Sequence, residues 1–268
     1  MSEGTTDPVR APLSTYRFQF NQHFTFRNAT ELVPYLNRLG VSWIYASPYL
    51  QARAGSLHGY DISNHHRLNP EIGDAEDHVA LTRALREHGM AQLIDIVPNH
   101  MGVGQANNEW WRDVLENGPS SMYAPYFDID WHPLKPELSG KVLLPILGDQ
   151  FGRVLENGEL ILAFEQGRFI LRYHEHELPI SPKSSSLVLR AVLDRLGERL
   201  DEEDPDRIEL ESIVTALEHL PPRDRTDAAS VAERTRENLV SKRRLSALHG
   251  SSDEFREALQ ATITEYNG

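Results

Sequence analysis

Over the first hundred residues the apolar positions switch between a period of two and a period near 3.6, which predicts strands alternating with helices. Thr15-Tyr16-Arg17-Phe18-Gln19-Phe20 alternates aromatic with polar, as a strand does. A helix is expected next, with Asn28 as N-cap, Glu31 three residues on, and Ala29, Leu32, Val33, Leu36 and Leu39 along one face before Gly40 closes it. Val41 to Ala46 forms the second strand. Asp74 with Asp77 opens a second helix, carrying Val79 and Leu85 and ending at Gly89. Gln92 to Val97 is the third strand, stopped by Pro98, which lacks an N–H to donate. Strands separated by helices pair in parallel, since each return to the same edge requires a crossover. The connection from Ser47 to Gly73 is longer than usual, and long connections are where function concentrates.

After residue 100 the pattern changes. Glu159 to Phe164 and Arg168 to Tyr173 flank a short turn and predict a hairpin. Further on, Leu210, Ile213, Val214, Leu217 and Leu220 recur at helical spacing, as do Phe255, Ala258, Leu259, Thr262 and Tyr266. The charged runs Asp201-Glu202-Glu203-Asp204 and Lys242-Arg243-Arg244 suit solvated helix ends. The fold expected is therefore α/β, with three parts. Residues 1–100 form the first strands and helices of a (β/α)8 TIM barrel, 101–183 a β-rich insertion after the third strand, and 184–268 a helical insertion. A complete barrel takes roughly 250 residues by itself. With three βα units visible in 268 residues, the later strands are expected to lie outside this chain.

Composition narrows the partners. The chain is 40% hydrophobic and 25% charged, as a globular protein is, and carries a formal charge of −13. A polyanion such as nucleic acid would be repelled by that field. No apolar run is long enough to span a bilayer, and Met1 to Asp7 has no basic-then-apolar signal, so a cytoplasmic protein without a membrane partner is expected. The absence of cysteine removes disulfides, thiolate metal sites and cysteine nucleophiles.

Asp95-Ile96-Val97-Pro98-Asn99-His100 places polar groups at the C-terminal mouth of a strand, where α/β barrels build their active sites. His58-Gly59-Tyr60-Asp61, on the long connection, offers a flexible glycine, a flat ring with a polar tip and a carboxylate. A tight turn around a packed tyrosine is the plainer account of that cluster alone. His65-His66 and His174 with His176 lack the spacing of a metal site. Gly102-Val103-Gly104, followed by Gln105-Ala106-Asn107-Asn108, lacks the third glycine of a dinucleotide fingerprint. Trp110-Trp111, Trp131, Tyr123 and Tyr126 are expected to pack the insertion rather than stack on ligands.

Together, the block ending in Asn99-His100, the upstream Gly59-Tyr60-Asp61 and the insertion after the third strand resemble the α-amylase superfamily, glycoside hydrolase family 13. Ser14-Thr15-Tyr16-Arg17, Ser47-Pro48-Tyr49, Gly55 to Asp61, Asn69-Pro70-Glu71-Ile72-Gly73 and Pro98 to Gly102 resemble one branch of it. That branch isomerises the reducing-end α-1,4 bond of maltooligosaccharides to an α,α-1,1 bond in trehalose biosynthesis. The resemblance implies that Tyr60 stacks on the glucose at subsite −1, that His100 hydrogen-bonds its hydroxyls, and that Asn99 belongs to the same sugar-binding set. It implies that Asp95 and Asn99 hold the loop and that Asp61 supports the site. It implies no cofactor, a maltooligosaccharide as partner and the rest of the barrel as complement. Many members bind structural calcium through the asparagine that Asn99 matches, but the carboxylate-rich partner this needs is not evident in the insertion, so no metal is expected. The family reaction is retaining, with a carboxylate nucleophile and a carboxylic acid about 5–5.5 Å apart. The family's nucleophile lies in a Gly-x-Arg-x-Asp block on the fourth strand, its acid on the fifth, and a His-Asp block follows the seventh. None is expected in this chain, so catalytic residues are absent and the chain alone is expected to be inactive. A different family 13 hydrolase or glucosyltransferase, or a non-catalytic α-glucan-binding module, are the competing expectations.

Overall fold

The computed structural model describes residues 11–103 and 108–268. The segments Met1–Asp7 and Gly104–Asn107, on which two of the expectations above rest, lie outside the described residues. The chain divides into two compact units, Met1–Asn108 and Glu109–Gly268.

In the first unit, β1 (Thr15–Phe18), β2 (Trp43–Ala46) and β5 (Ala91–Ile94) form a parallel sheet in that order. The connecting helices are α1 (Phe26–Arg38) and α2 (Ala75–Glu87). Alternation along the strands gives the sheet two unlike faces. Phe18, Ile44 and Ala46 are buried with Ala29, Val33, Leu36, Leu81 and Leu85 of the helices in one core, extended by Phe20 and Phe26, each edge-on to Tyr49. Arg17, Tyr45 and Leu93 lie on the opposite face, where Leu93 is 47% exposed. Gly40 and Gly89, both at positive φ, end the two helices as the sequence predicts.

Several local expectations shift. The N-cap of α1 is Thr25, and Asn28 is the third helical residue, whose Oδ1 accepts from the Thr25 N–H and hydroxyl. Polar residues three apart read equally well in either frame, and the buried Phe26 decides for the earlier start. Asp74 does cap α2, accepting from the Asp77 N–H. Leu81, not Val79, joins Leu85 in the core; Val79 is 53% exposed. The third strand ends at Ile94, before Pro98, although the Asp95 N–H still bonds the Ala46 carbonyl. The long connection after β2 is not structureless: β3 (Leu50–Ala52) and β4 (Ile62–Leu68) pair as an antiparallel hairpin within it.

The second unit begins with α3 (Glu109–Asn117) and a stretch of short turns, then α4 (Phe151–Glu156). The predicted hairpin is present as β6 (Ile161–Glu165) and β7 (Arg168–Tyr173), and a further strand, β8 (His176–Pro179), extends it. Gln166 and Gly167 make the turn, both at positive φ, as a two-residue hairpin that matches strand twist requires. Four helices follow: α5 (Pro182–Gly197), α6 (Pro205–Glu218), α7 (Ala228–Ser251) and α8 (Asp253–Asn267). Leu162 and Phe169 of the hairpin share one core with Leu189, Leu210, Ile213, Leu245 and Phe255 of the helices. Residues on both sides of position 183 thus belong to a single body, and the division in the chain falls after Asn108 instead of at 100. The apolar spacing had separated strand from helix correctly, but it carries no information on which segments share a core.

Candidate functional site

The parallel strands end together at Phe18, Ala46 and Ile94, and the residues just beyond them build the site. The tip of the β3–β4 hairpin, from Arg53 to Asp61, carries Tyr60 back over the face of the sheet that the helices leave uncovered. There its hydroxyl joins a network of Arg17, Asp95 and Tyr45. The Tyr60 hydroxyl donates to Asp95 Oδ2 at 2.5 Å and accepts from Arg17 Nη2 at 2.8 Å, while the Tyr45 hydroxyl donates to the same Asp95 oxygen at 3.1 Å. Arg17 lies 4.9 Å from the centre of the Tyr45 ring. The exposed Arg17 is thus held by a phenol oxygen and a ring face.

The electrostatics follow from those bonds. The Tyr60 hydroxyl, with help from Tyr45, holds the Asp95 carboxyl below its ordinary range. Partial burial and the bond to Asp95 raise the Tyr60 phenol, so it stays protonated and keeps donating. The bond to Tyr60 raises Arg17 further. The polar tip of Tyr60 is therefore occupied by protein groups, and the ring face is what it has left to offer.

The peptide group of Tyr60 is held as well. His58 Nδ1 accepts its N–H at 3.1 Å, and His100 Nε2 lies 3.1 Å from its carbonyl oxygen. Asp61 supports the turn from behind, accepting from the Ser56 hydroxyl at 2.5 Å and lying 3.4 Å from Arg53 Nε. Ser56 also accepts from the Gly59 N–H, and Gln19 anchors Leu57. Gly59 has φ +79°, and a Cβ there would stand 3.2 Å from the Pro48 carbonyl, so glycine is required.

Of the residues singled out in the sequence, Tyr60, Asp95, His100 and Asp61 come together. Asn99 is exposed, and among the described residues no hydrogen bond from it braces the loop; the Asp95 side chain does that work. Arg17 and Tyr45 are given no role in the site by the sequence, and His58 is singled out there only as part of the turn cluster. Arg17 alternates with the buried Phe18 and so falls on the face opposite the core, and that placement is the signal the sequence offers.

The other candidates are accounted for elsewhere. His65 Nε2 bonds the Val97 carbonyl and His174 Nε2 lies 3.4 Å from Glu159. Trp110 stacks on Tyr123, with ring centres 5.0 Å apart, and Trp111 packs at a tilt against Phe127, as packing residues do. Among the described residues no cluster of three or more metal-ligating side chains occurs, and no helix is long and apolar enough to cross a membrane. One expectation needs correction. The spelling Gly-x-Arg-x-Asp does occur, as Gly197-Glu198-Arg199-Leu200-Asp201. It lies where α5 ends, Arg199 is tied to Glu257 and Asp201 is exposed, so no strand presents that carboxylate to a site.

The alpha-amylase catalytic-domain model matches residues 25–233. A putative maltooligosyl trehalose synthase of Mycobacterium tuberculosis is 41% identical over 197 residues, covering 70% of this chain and 24% of that protein. The solved maltooligosyltrehalose synthase of Arthrobacter ramosus is 44% identical with a TM-score of 0.55, over 63% of this chain and 21% of that one. An intracellular maltogenic amylase of Bacillus subtilis matches over a shorter span, 36% identical over 100 residues, covering 37% of this chain and 16% of the amylase. This chain spans about a quarter of the length of the synthases it matches. With the family model covering most of the residues on both sides of the division, the chain belongs to the α-amylase catalytic-domain family, whose fold is of the TIM-barrel kind.

Proposed function

We propose that this chain supplies the sugar-holding part of a maltooligosyltrehalose synthase, the enzyme that isomerises the reducing-end α-1,4 bond of maltooligosaccharides to an α,α-1,1 bond. The observation that carries the proposal is the fixing of Tyr60 at both ends: its hydroxyl by Asp95 and Arg17, its peptide by His58 and His100. Pyranoses present apolar C–H faces to aromatic rings and hydroxyls to fixed polar groups. A ring held at both ends suits the first; His100, next to the Tyr60 carbonyl, and the exposed Asn99 that precedes it in the chain are assigned to the second. Preorganisation of this kind spares the ordering cost that a mobile side chain meets on binding.

The synthase reading, as opposed to hydrolysis, is supported by span. The likeness to the synthases runs through about two hundred residues, twice the length of the likeness to the maltogenic amylase. Retention requires a nucleophile and an acid that are free to act. Asp95 is engaged by two phenols and Asp61 by Ser56 and Arg53, so neither is a free nucleophile. In this reading the chain's residues bind and orient the glucose, and the carboxylates that exchange the bond come from other parts of a whole enzyme.

A chimera tests it. Residues of this chain replace the matching segment of the Mycobacterium tuberculosis synthase, and maltopentaose is followed for loss of reducing ends. The expected product is non-reducing, and Tyr60→Ala in the chimera cuts turnover by about a hundredfold, the scale of losing a positioning contact. Release of glucose or maltose instead would assign the segment to a hydrolase. The 268-residue chain alone is expected to leave maltopentaose unchanged.

A further inference from the structure

His58 stands two residues before Tyr60 and meets it twice. Its Nδ1 accepts the Tyr60 N–H at 3.1 Å, and its ring lies at 29° to the Tyr60 ring with centres 6.1 Å apart. Accepting from a peptide N–H fixes the tautomer, because that nitrogen must carry the lone pair and Nε2 the proton. Asp61 Oδ1 is 4.0 Å from the same nitrogen, beyond hydrogen-bond reach, so the peptide is its partner. His100 takes the opposite form. Its Nε2 faces a carbonyl, which only accepts, and so that nitrogen carries the proton.

A side chain that accepts from the N–H two residues on is the bond that asparagine and aspartate make in Asx-turns, where it stabilises a chain reversal. Here the reversal passes through Gly59 at positive φ, a conformation with little intrinsic preference over its alternatives. Ser56 Oγ holds the Gly59 N–H on one side of the reversal, and among the described residues His58 is the partner of the Tyr60 N–H on the other. We infer that His58 is a positioning residue for the Tyr60 platform, acting as an Asx-like brace that holds the Gly59 turn so that the Tyr60 hydroxyl meets Asp95 and Arg17. This inference rests on the reading of Tyr60 as the sugar platform, and it assigns the imidazole an indirect part in binding.

The test uses the 268-residue chain, with amide and imidazole NMR and a maltopentaose titration, for His58→Asn and His58→Ala. Asparagine can make the same bond, so His58→Asn keeps the slow exchange of the Tyr60 amide and holds affinity within about twofold. Alanine cannot. His58→Ala loses that protection and weakens maltopentaose binding by about tenfold, the equivalent of one net hydrogen bond. Unchanged behaviour of His58→Ala overturns the inference. So does equal impairment of both variants, which would place the imidazole directly on the sugar. A wild-type chain that binds no maltopentaose removes the sugar reading alone. The brace is then decided by the Tyr60 amide and by the His58 ring, where a proton on Nδ1 overturns it.

Discussion

The two units place polar networks in different settings. In the second, polar groups are struts inside a closed body: Glu116, only 5% exposed, binds Lys242 at 2.7 Å and Asn238 at 2.9 Å, and Asn117 binds the buried Arg234. In the first, the polar groups lie on the sheet face opposite α1 and α2, and they satisfy one another around a single tyrosine. Interior struts trade desolvation for fixed geometry between helices, and removing one partner leaves the other stranded. A network on an uncovered face loses less when cut, because water replaces the missing partner. The second unit therefore carries its network as interior struts, and the first carries the network around the proposed sugar platform.

The sharpest way to break that contrast is Gly167→Ala. A Cβ there would lie 1.9 Å from the Lys242 carbonyl, at φ +77°, so hairpin and α7 cannot both keep their places. Loss of about 3 kcal/mol or more is expected, read as early hydrogen exchange across the second unit with the first unchanged. Next comes Glu116→Ala, which strands Asn238 and Lys242. About 2–3 kcal/mol is expected in the same measurement, at the low end for a buried pair because Lys242 retains contact with water.

Asp95→Asn strikes the first unit and should cost about 1 kcal/mol there. Its sign with pH is fixed. The folded carboxyl titrates below the unfolded one, so its contribution is complete above the ordinary aspartate value of about 3.9 and is lost as pH falls through the lower folded value. An acid titration of first-unit stability should show that fall in the wild type and lack it in Asp95→Asn. Smallest is Val79→Ser, expected to change stability by less than about 0.5 kcal/mol because the side chain faces water. A loss as large as that of Leu81→Ala would return Val79 to the core face.

The strand and helix order of the first unit was legible because Phe18, Ile44, Val33, Leu36 and Leu85 repeat at the period of their elements. Helix ends at Gly40 and Gly89 were legible for a local reason, the need for positive φ. What stayed hidden depends on distance along the chain. The bond from Arg17 to Tyr60 joins positions 43 residues apart, and no spacing announces it. The β3–β4 hairpin was obscured because β4, Ile-Ser-Asn-His-His-Arg-Leu, has almost no apolar alternation and pairs through an irregular register. His58 was noticed as part of a turn, yet its acceptor role emerges only when the Tyr60 N–H is placed against it. The Gly197 to Asp201 spelling shows the converse, a motif whose letters fit and whose setting at a helix end does not.

The central claim is that sugar is held in the first unit, on Tyr60. Amide shift mapping of the 268-residue chain during titration with maltopentaose tests it most directly. The predicted result is a set of saturable changes confined to residues around 58–61 and 95–100, abolished by Tyr60→Ala. Changes centred in the second unit, or changes that survive Tyr60→Ala, would contradict it.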